Sequence, residues 1–204
     1  MTTPGPLRVA LVGSHGTGKT TLLSALADHA IRRDVDLVAL PETPRDVCRR
    51  AEDPEFFRRG RNAPLKQALL LIRHLILESE ARESGADVLL MDRSLLDYWV
   101  YTQTLFGAEL VESEIHDLLE DVVLEHCRRY DLLLFVPVEF PPHDDGVREA
   151  DRDFQQSISD AIEGRLDVIA RPVTVVRGSV EQRVETAWAA IESGLGGHGR
   201  RRES

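Results

Sequence analysis

The stretch GSHGTGKTTL, residues 13–22, constrains the fold of this chain more than any other feature. It lies between the apolar run 7–13, which is typical of a buried strand, and a segment with leucines at helical spacing. Glycine is costly inside regular structure, so glycines at this density indicate a backbone that must turn in ways other residues resist. A glycine-rich turn from a strand into a helix is also a place where backbone N–H groups can surround a phosphate.

The glycines share this stretch with a lysine and a threonine at defined positions. Gly13, Gly18, Lys19 and Thr20 stand at the spacing G-x-x-x-x-G-K-[ST]. In this pattern the lysine supplies charge to the outer phosphates and the hydroxyl binds Mg²⁺. An ordinary glycine-rich turn is the alternative. The predicted nucleotide-binding residues are Gly13, Ser14, His15, Gly16, Thr17, Gly18, Lys19, Thr20 and Thr21. His15 is expected to contribute its backbone N–H.

Short apolar runs alternate with helical patterns along the rest of the chain. We predict strands over 7–13, 35–42, 86–92, 130–136 and 172–178. We predict helices over 19–33, 44–53, 63–85, 94–107, 112–129, 154–170 and 179–194. Uninterrupted apolar strands between helices predict an α/β fold, a three-layer α/β/α sandwich with a five-stranded parallel sheet. Because ligands bind at the carboxyl ends of such strands, Gly13, Glu42 and Asp92 should converge on one edge.

Composition narrows the class of protein. A length of 204 residues with 42% hydrophobic content suits one globular domain, predicted over 1–193. Residues 137–153 are rich in Pro, Asp and Arg and are predicted as a loop, and the glycine-rich basic stretch 194–204 as a disordered tail. The net charge of −10 argues against a nucleic-acid partner. The N-terminal apolar run is too short for a membrane span, so we expect a cytoplasmic protein with no membrane partner.

The ends of the second and third strands carry a resemblance to known families. With the phosphate-binding loop, the run VLLMD ending at Asp92 resembles the P-loop NTPases and their second, metal-associated motif. This implies that Asp92 and Thr20 hold Mg²⁺, although Asp92 could also cap the next helix. Asp92-Arg93-Ser94 resembles the motif of thymidylate kinases and deoxynucleoside kinases at this strand end. The resemblance implies that Arg93 contacts phosphates, and a surface arginine is the alternative.

A second resemblance lies in PETPR, residues 41–45, which is similar to the Pro-Glu motif of deoxynucleoside kinases. It implies that Glu42 accepts the proton of the acceptor hydroxyl. Arg45, three residues later, could hold an acceptor phosphate or a ribose. Since phosphoryl transfer has a loose transition state, such a carboxylate mainly orients the hydroxyl. A helix-capping glutamate and a solvated arginine are the alternatives.

The stretch DDGVREADRD, residues 144–153, resembles the arginine-bearing lid of nucleoside and nucleotide kinases. Arg148 and Arg152 are four residues apart, so on a helical turn both could face the transferring phosphate. An acidic surface loop is the alternative. On the acceptor side, Gln67 resembles the glutamine with which nucleoside kinases read a base edge, and Tyr98 could stack on a nucleobase. A surface glutamine and ordinary core packing are their alternatives.

Taken together, these motifs resemble most closely the AAA-like nucleoside-kinase group that includes the nicotinamide riboside kinase domain of bacterial NAD-metabolism proteins. The resemblance implies a Mg²⁺–ATP-dependent kinase that transfers the γ-phosphate to a hydroxyl of a small, nucleoside-like acceptor. Its implied catalytic residues are Lys19, Glu42, Asp92, Arg93, Arg148 and Arg152. ATP is the expected donor because no guanine-recognition motif is evident, and GTP is the alternative.

Two other functions stay open at this point. A nucleoside monophosphate kinase would need a further cationic pocket, for which Arg45, Arg49 and Arg50 are candidates. A regulatory ATPase or switch protein would hydrolyse the nucleotide without a small acceptor. The oligomeric state cannot be read from the sequence, and a homodimer is one option.

Overall fold

Strands and helices alternate in the computed structural model, which describes residues 5–42, 63–110, 114–140 and 152–202. The strands are β1 (Leu7–Val12), β2 (Leu37–Leu40), β3 (Val88–Asp92), β4 (Leu132–Phe135) and β5 (Val173–Val175). The helices are α1 (Lys19–Arg32), α2 (Ala63–Arg82), α3 (Leu95–Leu110), α4 (Glu114–Cys127), α5 (Arg152–Ile169) and α6 (Val180–Arg202). The predicted helix 44–53 lies outside the described residues. No helix among the described elements is long and apolar enough to cross a membrane.

The five strands form one parallel sheet in the order β2-β3-β1-β4-β5. β1 is therefore central, and the chain builds the sheet first on one side of it and then on the other. Ligands of open α/β sheets bind where the strand order reverses in this way, outside the carboxyl ends of the strands. The register pairs Leu11 of β1 with Asp92 of β3, which brings Asp92 beside the loop that follows β1.

Helices cover both faces of the sheet, because successive side chains of the central strands point to opposite sides. On one face Ala10, Leu89 and Leu133 pack with buried residues of α2, α3, α4 and α5. On the other face Val9 and Leu90 pack with α1 and α6. The predicted three-layer α/β/α fold with a five-stranded parallel sheet is confirmed.

Two glycines expected to end helices lie inside them. The helix predicted to end near Gly107 continues to Leu110, and the helix predicted to end at Gly194 continues as α6 through Arg202. The expectation of disorder from residue 194 therefore differs from the structure. Gly194 has a packing role, because a Cβ there would lie 2.9 Å from Leu7 Cδ2. A glycine at such a position lets the helix approach the strand closely, so it does not mark a helix end.

A buried polar cluster lies at the opposite end of the sheet from the glycine-rich loop. Glu78 of α2 accepts hydrogen bonds from Arg8 Nη2 at 2.6 Å and from the Tyr130 hydroxyl at 2.6 Å. Its carboxylate is also 2.9 Å from the Nε2 atoms of His74 and His126. Burial alone would raise the pKa of Glu78, but its hydrogen bonds and charge interactions with His126 and His74 outweigh burial and hold the pKa well below its ordinary value. The cluster joins α2 and α4 to the first strand.

Candidate active site

The loop between β1 and α1 takes the backbone form that its glycines predict. Gly13, Gly16 and Gly18 all have positive φ values, of 148°, 69° and 87°. A Cβ on Gly13 would lie only 2.4 Å from the carbonyl oxygen of Val136, which directly follows β4. Gly13 is thus required both by its conformation and by the close approach of a neighbouring backbone.

The N-terminus of α1 is open toward the concave side of this loop. Gly18 is its N-cap residue, and no side chain caps the helix. The N–H groups of the first helical turn have no partner within the helix, and the positive end of the helix dipole lies there. A phosphate is the ligand such a terminus binds, so the fold supplies the predicted phosphate site.

Lys19 is nearly buried within the loop. Its ammonium donates to the carbonyl oxygen of Ser14 at 2.5 Å and lies 3.4 Å from the Thr17 hydroxyl. Burial, and to a lesser extent repulsion from Arg93, lowers the pKa of Lys19 to about 8. A bound polyphosphate would supply the negative charge that favours the protonated form.

Thr20 and Asp92 meet as their two motifs predict. The Thr20 hydroxyl donates to Asp92 Oδ2 at 2.6 Å across the edge of the sheet. Hydroxyl and carboxylate oxygens are hard donors of the kind that Mg²⁺ prefers, so the donor set fits this ion. The alternative role of Asp92, capping the next helix, is filled by two other residues. Ser94 and Asp97 form that cap, since the Ser94 N–H and hydroxyl both donate to Asp97 Oδ2.

Glu42 and Arg93 form a buried ion pair beside the Thr20–Asp92 contact. Arg93 Nε donates to Glu42 Oε1 at 2.5 Å, and each side chain is about 95% buried, with exposures of 5% and 4%. Burial opposes ionisation of Arg93, but attraction to Glu42 outweighs it, so the pKa of Arg93 lies well above its ordinary value. Arg93 has a φ of +94°, a conformation that is costly for a residue with a side chain. Such strain is typical of functional sites.

The structure describes only some of the predicted acceptor and lid residues. Arg45 and Arg148 lie outside the described residues, as does the side chain of Gln67. Arg152 is the first residue of α5 and is exposed. The stacking of Tyr98 on a nucleobase stays a prediction. Tyr98 is 3% exposed and packs in the core, with its ring 5.3 Å from that of His74.

The backbone N–H of His15 does not take its expected role of facing a phosphate. Its N–H donates to the Tyr101 hydroxyl at 2.8 Å, so it is engaged outside the loop and does not face a phosphate in this conformation. The His15 ring packs against the rings of Tyr101 and Phe154, with centroids 6.1 and 5.7 Å away. His15 therefore anchors the outer side of the loop to α3 and α5.

Several residues that the sequence did not single out hold the loop from outside. Asp97 Oδ1 accepts from the Gly13 N–H at 2.9 Å, Gln155 Nε2 donates to the His15 carbonyl at 2.8 Å, and Arg183 Nη1 donates to the Thr17 carbonyl at 2.6 Å. The pattern Ser94-x-x-Asp97 is a capping signature that could have indicated Asp97. No local signal marks Gln155 or Arg183, because their partners are distant in sequence.

Comparison with known proteins agrees with this architecture. A family described as an AAA domain matches residues 8–183, and the chain belongs to that family. Among solved structures, the chain is similar to thymidylate kinase from Ehrlichia chaffeensis, with a TM-score of 0.61 and 15% identity over 92% of this chain and 100% of that one. At this identity the likeness shows the fold, a P-loop kinase-like fold. No curated protein matches the sequence.

Proposed function

We propose that this protein is a Mg²⁺–ATP-dependent kinase that transfers the γ-phosphate of ATP to the hydroxyl of a small acceptor. The observation that carries the proposal is the buried Glu42–Arg93 pair, which lies beside the Thr20–Asp92 contact. A nucleotide-hydrolysing protein can use a similar pair to orient its attacking water, so the kinase is favoured because the pair lies in PETPR and DRS, which resemble deoxynucleoside-kinase motifs. A kinase needs a carboxylate for the acceptor hydroxyl and a fixed cation for the phosphates.

In this mechanism the chain binds the donor and orients the acceptor. The N–H groups at the start of α1 and the Lys19 ammonium bind the phosphates, and Thr20 and Asp92 would hold Mg²⁺, which neutralises phosphate charge. Glu42 orients the acceptor hydroxyl and accepts its proton as the new P–O bond forms and the bond to ADP breaks. Arg93 holds Glu42 in place and adds positive charge, while Arg148 and Arg152 are proposed to act from the lid.

The proposed acceptor is nucleoside-like. The motifs PETPR and DRS resemble those of deoxynucleoside kinases, and the fold likeness is to a thymidylate kinase. Kinship with the nicotinamide riboside kinase group remains part of this proposal. A nucleoside monophosphate kinase is the second candidate, favoured by the arginines at positions 45, 49 and 50 that could bind an acceptor phosphate.

An ADP-release screen tests the proposal with nucleosides, nucleoside monophosphates, and sugar or antibiotic alcohols as acceptors. We expect ADP release that depends on one acceptor class and is lost in Lys19→Met. Glu42→Gln should slow transfer at least about tenfold. The matched control is Glu125→Gln, which removes an exposed carboxylate of α4 paired with Arg128 just after that helix, and it should leave the rate unchanged. Steady ADP release without any acceptor would instead favour a regulatory ATPase, and full transfer by Glu42→Gln would remove the role of that residue.

A further inference from the structure

Arg183 of α6 joins three segments that meet around the phosphate-binding loop. Its Nη1 atom donates to the Thr17 carbonyl at 2.6 Å, its Nη2 atom to Glu139 Oε2 at 2.6 Å, and its Nε atom to the Gly178 carbonyl at 2.9 Å. The residue is only 5% exposed. Every nitrogen of the guanidinium thus has an acceptor, and the planar fork is fixed in one orientation.

The contact with Thr17 controls the direction of a neighbouring N–H group. The carbonyl of Thr17 and the N–H of Gly18 belong to one planar peptide unit and point in opposite directions. Because Arg183 holds the carbonyl on the outer side of the loop, the Gly18 N–H is directed to the inner side, where a phosphate would bind. A cation on the carbonyl also polarises the peptide and makes its N–H a stronger donor.

Gly18 is suited to this contact. A Cβ at Gly18 would lie 3.1 Å from Arg183 Nη1, and its φ of +87° disfavours other residues. A glycine here therefore serves the approach of Arg183 as well as the turn of the loop. The motif glycine and the distant arginine form one structural unit.

Glu139 holds Arg183 in position. Its carboxylate accepts from Arg183 and also from the Gly178 N–H, at 3.0 Å to Oε2. Burial would raise the pKa of Glu139, but these hydrogen bonds outweigh it and keep the pKa below its ordinary value. The carboxylate therefore stays ionised at neutral pH and balances the charge of the guanidinium. This ion pair stabilises Arg183 in its position against the loop.

We propose that Arg183 is a positioning residue for the polyphosphate of a bound nucleotide, acting through the Thr17–Gly18 peptide. The inference rests on the proposed function insofar as it requires nucleotide binding at this loop. It adds a residue from the last helix to a site whose phosphate-binding loop is also held by Asp97 of α3 and Gln155 of α5. Arg183 itself does not contact the phosphate.

MgADP binding to the full-length chain tests this role, with Arg183→Lys as the variant. A lysine keeps the charge but cannot donate to three acceptors in a plane, so the Thr17–Gly18 peptide loses its fixed orientation. We expect the Kd for MgADP to rise about tenfold, the value of one charge-assisted hydrogen bond. In the wild type, the Gly18 amide proton signal should move downfield when MgADP binds, and this shift should shrink in the variant.

The matched control is Arg8→Lys. Arg8 is also a buried arginine with a carboxylate partner, a backbone carbonyl partner and an aromatic ring beside it, but it lies at the opposite end of the sheet. Arg8→Lys should lower the melting temperature and leave the Kd for MgADP unchanged. Equal losses of affinity in the two variants would overturn the proposal, because they would reflect stability alone.

Two further outcomes are decisive. If folded Arg183→Lys binds MgADP as the wild type does, with the same Gly18 shift, the positioning role is refuted while nucleotide binding stands. If the wild type binds no MgADP, the proposed function fails and this inference fails with it. Should Arg183→Lys not fold, Glu139→Gln provides the second variant. It removes the balancing charge and should raise the Kd about threefold, and an unchanged Kd would overturn the proposal.

Discussion

Gly13 offers the sharpest test of the phosphate-binding loop. In Gly13→Ala the new Cβ would meet the Val136 carbonyl oxygen at 2.4 Å, far inside a normal contact. That carbonyl cannot easily move away, because the Val136 N–H is bonded to the Val12 carbonyl at 2.9 Å and the residue is fully buried. The φ of +148° adds backbone strain of about 1–3 kcal/mol for a residue with a side chain.

Steric overlap and strain together should lower the free energy of unfolding by about 3–5 kcal/mol. For a chain of this length, a loss of 3 kcal/mol lowers the melting temperature by roughly 6–12 °C. Urea unfolding and thermal melting measure the change, and MgADP titration of the folded fraction should show weaker binding because the loop has shifted.

Gly164→Ala is the matched control. Gly164 lies within α5, and a Cβ there would meet nothing within 4 Å. Alanine is favoured over glycine inside a helix, so the free energy of unfolding of this variant should rise by about 1 kcal/mol. Replacement of glycine by alanine should therefore lower the free energy of unfolding at position 13 and raise it at position 164. A Gly13→Ala protein with wild-type melting temperature and wild-type MgADP affinity would refute the reasoning about the loop.

The remaining predictions concern three ionisable groups, Lys19, Glu78 and Asp97. Because the pKa of Lys19 is about 8 in the folded chain and ordinarily about 10.5, its protonation disfavours folding, and this penalty should fade as pH rises from 8 to 10.5. MgADP binding near pH 8.5 should take up a proton, seen by calorimetry in buffers of different ionisation enthalpy and absent in Lys19→Met. Glu78→Gln leaves Arg8 without its carboxylate partner and should cost about 3–5 kcal/mol in urea unfolding. Since the pKa of Glu78 is depressed, wild-type stability should fall as pH drops below about 4.5, and a similar fall in Glu78→Gln would contradict its origin in this residue. Asp97→Asn replaces the carboxylate that accepts the Gly13 N–H with an amide, and it should lower the free energy of unfolding by about 1–3 kcal/mol. Thermal melting measures this change, and an unchanged melting temperature would show that the contact is weak.

Local patterns predicted the features whose causes are local. Alternating strands and helices indicated the sheet, and the strand ends at Glu42 and Asp92 were expected to converge with Gly13. The structure brings them together, with Glu42 against Arg93 and Thr20 against Asp92. Single-residue expectations were less reliable where packing decides. Gly107 lies within α3, and Gly194 packs against Leu7, so neither glycine ends a helix as predicted.

The sequence by itself determined the phosphate-binding loop and the α/β class of the fold, because glycine conformations, the following helix and hydrophobic periodicity are properties of neighbouring residues. Only the tertiary structure decided which side chains hold that loop. Tyr101, Gln155 and Arg183 bind it across 86, 140 and 166 residues of sequence. Such contacts depend on the strand order that places β1 at the centre of the sheet, with α3 and α5 on one face and α6 on the other. No periodicity or motif of neighbouring residues encodes a pairing over that distance.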